Sequence, residues 1–238
     1  MTLPRVDVPT YELTLPSIDK KVKFRPFLVR EEKVLFIALE SKNQQEMVNA
    51  MKEIIDACTF NTLNVETLPL FDIEYLFLNI RAKSVGEVAN FRVICPDDNK
   101  TYVDASVDLT KVDVQVDDDH SNKITIDEKR KLGMVLKYPT LKNFRVGKDI
   151  NTNDIDTVFS ILIDCIDHIF EGDKIFPAKD ATPEEIQEFV DSLTQNSFQS
   201  IKKFFDTMPK LKHDIEVTNP KTQVKSTVTL QGLQDFFE

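Results

Sequence analysis

Apolar positions recur most densely between Leu70 and Glu87. Ile73, Leu76, Phe77 and Ile80 follow the i, i+3, i+4, i+7 spacing of an amphipathic helix, and Phe71, Tyr75 and Leu78 widen its apolar face. This predicts a helix over 69–84 that is packed on more than one side. Asp72 and Glu74 complement its positive end, Arg81 and Lys83 its negative end, and Gly86 is a stop signal. Upstream, residues 1–10 read as an extended arm. Tyr11–Leu15 and Lys21–Phe24 then alternate apolar with polar around a short turn, which predicts a hairpin over 11–25. Leu28, Lys33 to Phe36, Ile37 and Leu39, with Glu31 and Glu32 early, predict a helix from Phe27 to Glu40, started by Pro26. Met47, Met51, Ile54 and Ile55 predict a second from Gln44 to Cys58.

Two β-rich runs flank Pro96-Asp97-Asp98-Asn99, whose residues favour a tight turn, and predict a hairpin over 87–108. Short alternating strands continue through 110–137, with Asp117 to Asp119 in a turn or at a strand end. Ile155, Val158, Phe159, Leu162, Ile166 and Ile169 share a helical face, predicting one helix from Asn153 to Phe170. Thr182, Pro183 and Glu185 form a capping-box signature, with Ile186, Phe189, Val190 and Leu193 behind it as the buried stripe. Thr194 starts another helix, carrying Phe198, Ile201, Phe204 and Phe205 up to Met208-Pro209. A last hairpin spans 213–230, and the tail ends in Phe236 and Phe237, expected to dock on the body of the protein or on a partner. The fold class is therefore α+β, a predominantly helical body (27–58, 69–84, 153–170, 182–208) with attached antiparallel hairpins. An N-terminal region 1–150 and a C-terminal region 151–238 are expected, as two parts or as one continuous domain.

Charge changes this picture little. The 40 acidic and 30 basic side chains leave a net charge of -10, which opposes binding to phosphate backbones or anionic membranes. Neither a nucleic-acid partner nor direct membrane insertion is expected. No run of about 18 apolar residues is present, and the start has no apolar signal core, so the chain is read as cytosolic where it is made. The three cysteines are odd in number and widely spaced, so reduced thiols are expected. Five glycines leave no room for a glycine-rich nucleotide loop. From Lys129 to Lys148 there are seven Lys or Arg and no acid, among them Arg130, Lys131, Lys142 and Arg145: a solvated basic face, or a docking surface for an acidic partner.

Reactive groups form no recognisable constellation. Cys165 and His168 would share a helix face, but a Cys–His pair that works as nucleophile and base usually comes from separate elements with a third group to orient it. Asp164 with Asp167, and Glu184 with Glu185, suit a solvent face and a helix start. Asp117 to Asp119 lack the spaced oxygen ligands of a calcium loop. No catalytic residue, cofactor or metal ligand is expected. Phe198, Phe204 and Phe205 serve either the core or a partner contact, and Phe236 and Phe237 stand open in the same way.

Phe71–Glu87, Glu184–Leu211 and the tail Leu230–Phe237 resemble the baseplate hub protein family of T4-like contractile-tailed phages, as does Arg25–Leu35. The similarity covers roughly residues 20–237 with its segments in the same order. The resemblance implies hub subunits or hub assembly factors that work through contacts with other baseplate hub proteins, in the host cytoplasm during assembly or in the tail of the virion. It implies no enzymatic activity; a hydrolase of hub maturation and a small zinc-ribbon-like interaction module are the alternatives. Members of the family look similar to a zinc ribbon at two hairpin turns. Here those turns offer Cys95, Asp98, Asn219 and Thr222, a decayed set for a site that needs about four Cys or His, so no bound zinc is expected.

Overall fold

In the computed structural model, residues 6–41, 43–144, 155–232 and 234–236 are described; for Gln44, Phe144, residues 155–158 and Gln234 only the backbone is. The chain forms two compact units. One comprises residues 1–115 and 210–238, the other Val116–Pro209. The division expected near residue 150 is not where contacts separate. The reason lies in strand pairing, since Asp113–Gln115 is hydrogen bonded to Lys210–Lys212, so the chain leaves and rejoins one sheet at neighbouring positions.

The first unit opens with β1 (Tyr11–Leu15) and β2 (Lys20–Phe24), an antiparallel hairpin, followed by α1 (Val29–Ser41), α2 (Gln44–Cys58) and α3 (Leu70–Val85). β3 (Val88–Ile94) pairs with β4 (Tyr102–Asp108), and β5 (Asp113–Gln115) joins β10 (Lys210–Thr218) and β11 (Lys225–Gln231) in the order β11-β10-β5. The helix α3 is buried on more than one side, as its sequence predicts. Ile73, Leu76, Phe77, Leu78 and Ile80 are buried. Leu78 and Ala82 pack with Ala89, Val107, Leu109, Leu211, Leu230 and Phe236. Burying each large apolar side chain contributes about 1.5–3 kcal/mol, so α3 is the principal apolar contribution of this unit.

Polar ties fix what apolar burial leaves free. Asp72, wholly buried in the first turn of α3, accepts from the Ser17 amide at 3.2 Å and from the Ser17 hydroxyl, fastening the β1–β2 turn to the helix. Burial pushes the Asp72 pKa up, and the two Ser17 hydrogen bonds pull against that shift. Arg25, just past β2, donates to Glu31 Oε1 at 2.9 Å, with both side chains buried. The same carboxylate accepts from Arg30 Nε at 2.6 Å and from the Leu28 amide at 2.7 Å. Burial alone would raise the Glu31 pKa; the Arg25, Arg30 and Leu28 hydrogen bonds together outweigh it and hold the group at about 2.

The tips of β3–β4 and β10–β11 meet, and Asp97 of one accepts from Asn219 Nδ2 of the other at 3.0 Å and from Thr222 Oγ1 at 2.6 Å. Within the first tip, Asp98 accepts from the Thr101 amide and hydroxyl at 2.9 and 2.6 Å, and Cys95 is buried beneath. Carboxylate, amide and hydroxyl thus join the two turns.

The second unit is a four-stranded antiparallel sheet ordered β6 (Lys123–Asp127), β7 (Leu132–Leu136), β8 (Ile166–Glu171), β9 (Lys174–Pro177). Helices α4 (Ile155–Cys165), α5 (Pro183–Asp191) and α6 (Gln195–Thr207) accompany it. Met134, Leu136, Leu162, Ile166, Val190, Ile201 and Phe204 form its core. The single helix expected over 153–170 is corrected here: α4 stops at Cys165 and β8 begins at once. Ile-Asp-His-Ile-Phe-Glu does not alternate, but the β-branched Ile166 and Ile169 favour a strand, β7 and β9 pair with it on its two sides, and Gly172 at φ +58 supplies the turn into β9. The Ile155 and Val158 side chains of the expected stripe lie outside the described residues. The expected helix starts at Thr182 and Thr194 are present, the first as a full capping box and the second with Thr194 accepting from the Ser197 amide.

Glu31→Gln is expected to lower unfolding free energy by about 3 kcal/mol, because it leaves the buried Arg25 without its counter-charge. Since the Glu31 pKa is depressed, its contribution is present above about pH 4.5 and lost as pH falls toward 2; denaturant melts of the variant should show a shallower acid slope there than the wild type. Gly133→Ala would place a methyl group on the Ile124 carbonyl oxygen and the Phe170 ring. A loss of about 1–3 kcal/mol is expected, read by thermal unfolding. Asp97→Ala should speed amide hydrogen exchange at Asn219 and Gln223, whose backbone bonds close the second tip, and leave residues 123–136 unchanged.

Candidate interaction surfaces

Among the residues expected to meet a partner, two are core. Phe204 and Phe236 are each 1% exposed, so neither presents its ring at the surface. Phe204 stacks on Tyr138, with centroids 5.7 Å apart, and Phe205 meets it edge-on at 5.0 Å. Phe198 is half-buried and stacks on Phe159 at 5.4 Å. Phe236, held by the turn that follows β11, packs on α3. Phe237 and Arg145 lie outside the described residues.

The basic run does not become one patch. Arg130 and Lys131 lie in the β6–β7 turn, and Lys142 lies in a 3-10 turn beyond the far end of β7. Five strand residues, about 16 Å at the usual rise, separate the two ends. All three are exposed, and Arg130 donates to Glu171 Oε1 through Nε and Nη2 at 3.0 and 2.8 Å.

Reactive side chains do not converge. Cys165 ends α4 and His168 lies on β8, so the helical face they were expected to share does not exist. Burial pushes the Cys165 thiol up to about 12 and the Cys58 thiol to about 11, which keeps both protonated and poorly nucleophilic. His168 Nδ1 meets Asp167 at 2.8 Å on the surface. His120 is bracketed by Thr207 Oγ1 and Tyr138 OH, each at 3.0 Å. The Thr207 hydroxyl donates to the Lys203 carbonyl at 2.8 Å, so it accepts from His120 Nδ1–H, and Nε2 accepts from Tyr138. Burial lowers the His120 pKa, in keeping with this neutral, structural arrangement. Among the described residues no three His, Cys, Asp or Glu side chains gather as a metal site. A shallow open depression along α2, lined by Asn49, Lys52, Glu53, Asp56, Ala57 and Asn61, presents no nucleophile with a base. No helix among the described residues is long and apolar enough to cross a membrane.

Exposed apolar side chains occur in several places, and α1 and the edge strand of the second unit are two of them. On α1, Val29 is 80% exposed, Phe36 58%, Ile37 55% and Leu39 52%, while Glu31 and Ala38 on the opposite side are buried. Phe36, Ile37 and Leu39 are among the positions from which the sequence predicts this helix. The signal that separates them is that apolar residues occur all round α1, more than one buried face can use. On β9, an edge strand, Ile175 is 63% and Phe176 49% exposed, on opposite faces. The α1 residues are neighbours on one side of the helix, and contiguous patches mark contact surfaces more often than isolated apolar residues do.

Comparison with curated proteins and with solved structures gives no match. A family described as T4 bacteriophage base plate protein matches over residues 8–238, nearly the whole chain, and the chain belongs to that family.

Proposed function

We propose that the protein is a non-enzymatic part of the phage tail baseplate hub, or an assembly factor for the hub, working through contacts with other hub proteins in the host cytoplasm and in the tail. The observation that carries this reading is the family match over both units, which makes the protein a phage baseplate protein with baseplate components as its partners. The structure supports contact as the means. Cys58 and Cys165 are held as thiols, charged groups are spread in pairs, and apolar side chains are exposed on both units. An assembly role needs surfaces that are open in the free protein and covered in the complex, and side chains such as Ile175 and Phe176 have that character.

Co-expression with the other hub proteins of the same phage, followed by affinity capture, tests the reading. Capture of at least one hub protein is expected, reduced about tenfold or more by the paired substitution Ile175→Asp with Phe176→Asp. Capture of none, together with normal tails from a phage that lacks the gene, would end it. Mass spectrometry of purified virions then separates the two forms: a fixed copy number identifies a subunit, and absence from the particle an assembly factor.

A further inference from the structure

The outward side of α1 is self-complementary. At about 100° per residue, Val29, Lys33, Phe36 and Glu40 fall on one narrow strip that points away from buried Glu31 and Ala38, with Leu39 and Ile37 on its flanks. Phe36 sits near the middle, with exposed Lys33 one turn before it and exposed Glu40 one turn after; half-buried Glu32 lies on the Leu39 flank, one turn before Phe36. Among the described residues neither Lys33 nor Glu40 takes part in an ion pair, whereas Arg30 is already engaged by Glu31 at 2.6 Å.

We infer that this strip is the interface of a homodimer, with α1 of a second copy lying antiparallel across a two-fold axis near Phe36 and Ile37. In that arrangement each Lys33 faces Glu40 of the other copy, so two opposite-charge pairs flank a centre made of both Phe36 rings and both Ile37 side chains. The antiparallel sense also sets the helix dipoles head to tail. A parallel pairing would place Lys33 against Lys33 and Glu40 against Glu40. Charge order along the strip therefore selects both the partner and its direction: the surface that complements basic-apolar-acidic is the same surface turned round. Leu39 and Val29 extend the covered area toward the two ends. The inference rests on the strip alone and not on the baseplate reading, and it is tested on the isolated protein, so that failure of one leaves the other standing.

Sedimentation equilibrium of the purified full chain, across about 1–100 μM, is the test. A dimer is expected. Phe36→Asp, a change at an exposed position, should weaken it about tenfold or more with the far-ultraviolet circular dichroism unchanged. Lys33→Glu alone should also weaken it about tenfold, since it sets two carboxylates against each other twice, and Lys33→Glu combined with Glu40→Lys should restore the wild-type dissociation constant to within about threefold. A monomer throughout the range, a dimer unaffected by Phe36→Asp, or a double charge swap no tighter than the single one would overturn the assignment.

Discussion

A helix with large apolar side chains on more than one side must be covered on each of them, and α3 sets that requirement for the first unit. Leu76, Leu78 and Ile80 cannot all face one neighbour, because successive side chains on a helix point about 100° apart. Cover therefore arrives from β1, from α2 and from the strands that follow the helix and close the chain. This explains why residues 210–238 return to a unit begun by residues 6–115: Leu211, Leu230 and Phe236 supply a part of the cover that the N-terminal segments do not. Residues 116–209 are free to form their own core because β5 and β10 already hold the two crossing points side by side.

Apolar cover is nondirectional, so register is decided by buried polar groups that each have few acceptable partners. The Asp72 carboxylate is wholly buried and would be costly without the Ser17 amide and hydroxyl, which places the β1–β2 turn over the first turn of α3. Arg25 and Glu31 act likewise where the chain passes from β2 into α1. At the tips of β3–β4 and β10–β11 the same role falls to the buried Asn219 amide, which donates to the exposed Asp97 carboxylate that Thr222 also reaches. There the hydrogen-bond capacity of an amide and a hydroxyl is matched to one carboxylate, and two turns far apart in sequence are joined without a disulfide.

Local chemistry was legible in the sequence wherever it was complete within a few residues. Thr182-Pro-Glu-Glu has every group of its capping box inside four positions, and the turn at Pro96–Asn99 carries its own acceptors. The 166–171 stretch reads as helix because Ile166 and Ile169 fit the i, i+3 spacing, and only their β-branching speaks for a strand. The deciding factor is β7 on one side and β9 on the other, which no local pattern encodes. The α+β class followed from element types alone, whereas the division into units depends on a pairing between residues about a hundred positions apart. Charge patterning misled in a similar way, because a run continuous along the chain is cut by a strand that carries Arg130 and Lys142 to opposite ends.

The candidate surfaces show the limit of periodicity as evidence. Apolar spacing tells that a helix face avoids water and does not tell which molecule covers it. Phe204 and Phe36 look alike in the sequence, each an aromatic residue in phase with apolar neighbours, yet one is 1% and the other 58% exposed. The difference arises from supply: around Phe204 the unit provides Tyr138, Phe205 and Ile201, while the buried side of α1 is already filled by Ala38 and the Arg25–Glu31 pair. An apolar side chain left over after a unit has closed its own core has no further use within it. The exposed apolar residues of α1 and β9 are of this kind, left uncovered by the unit that carries them.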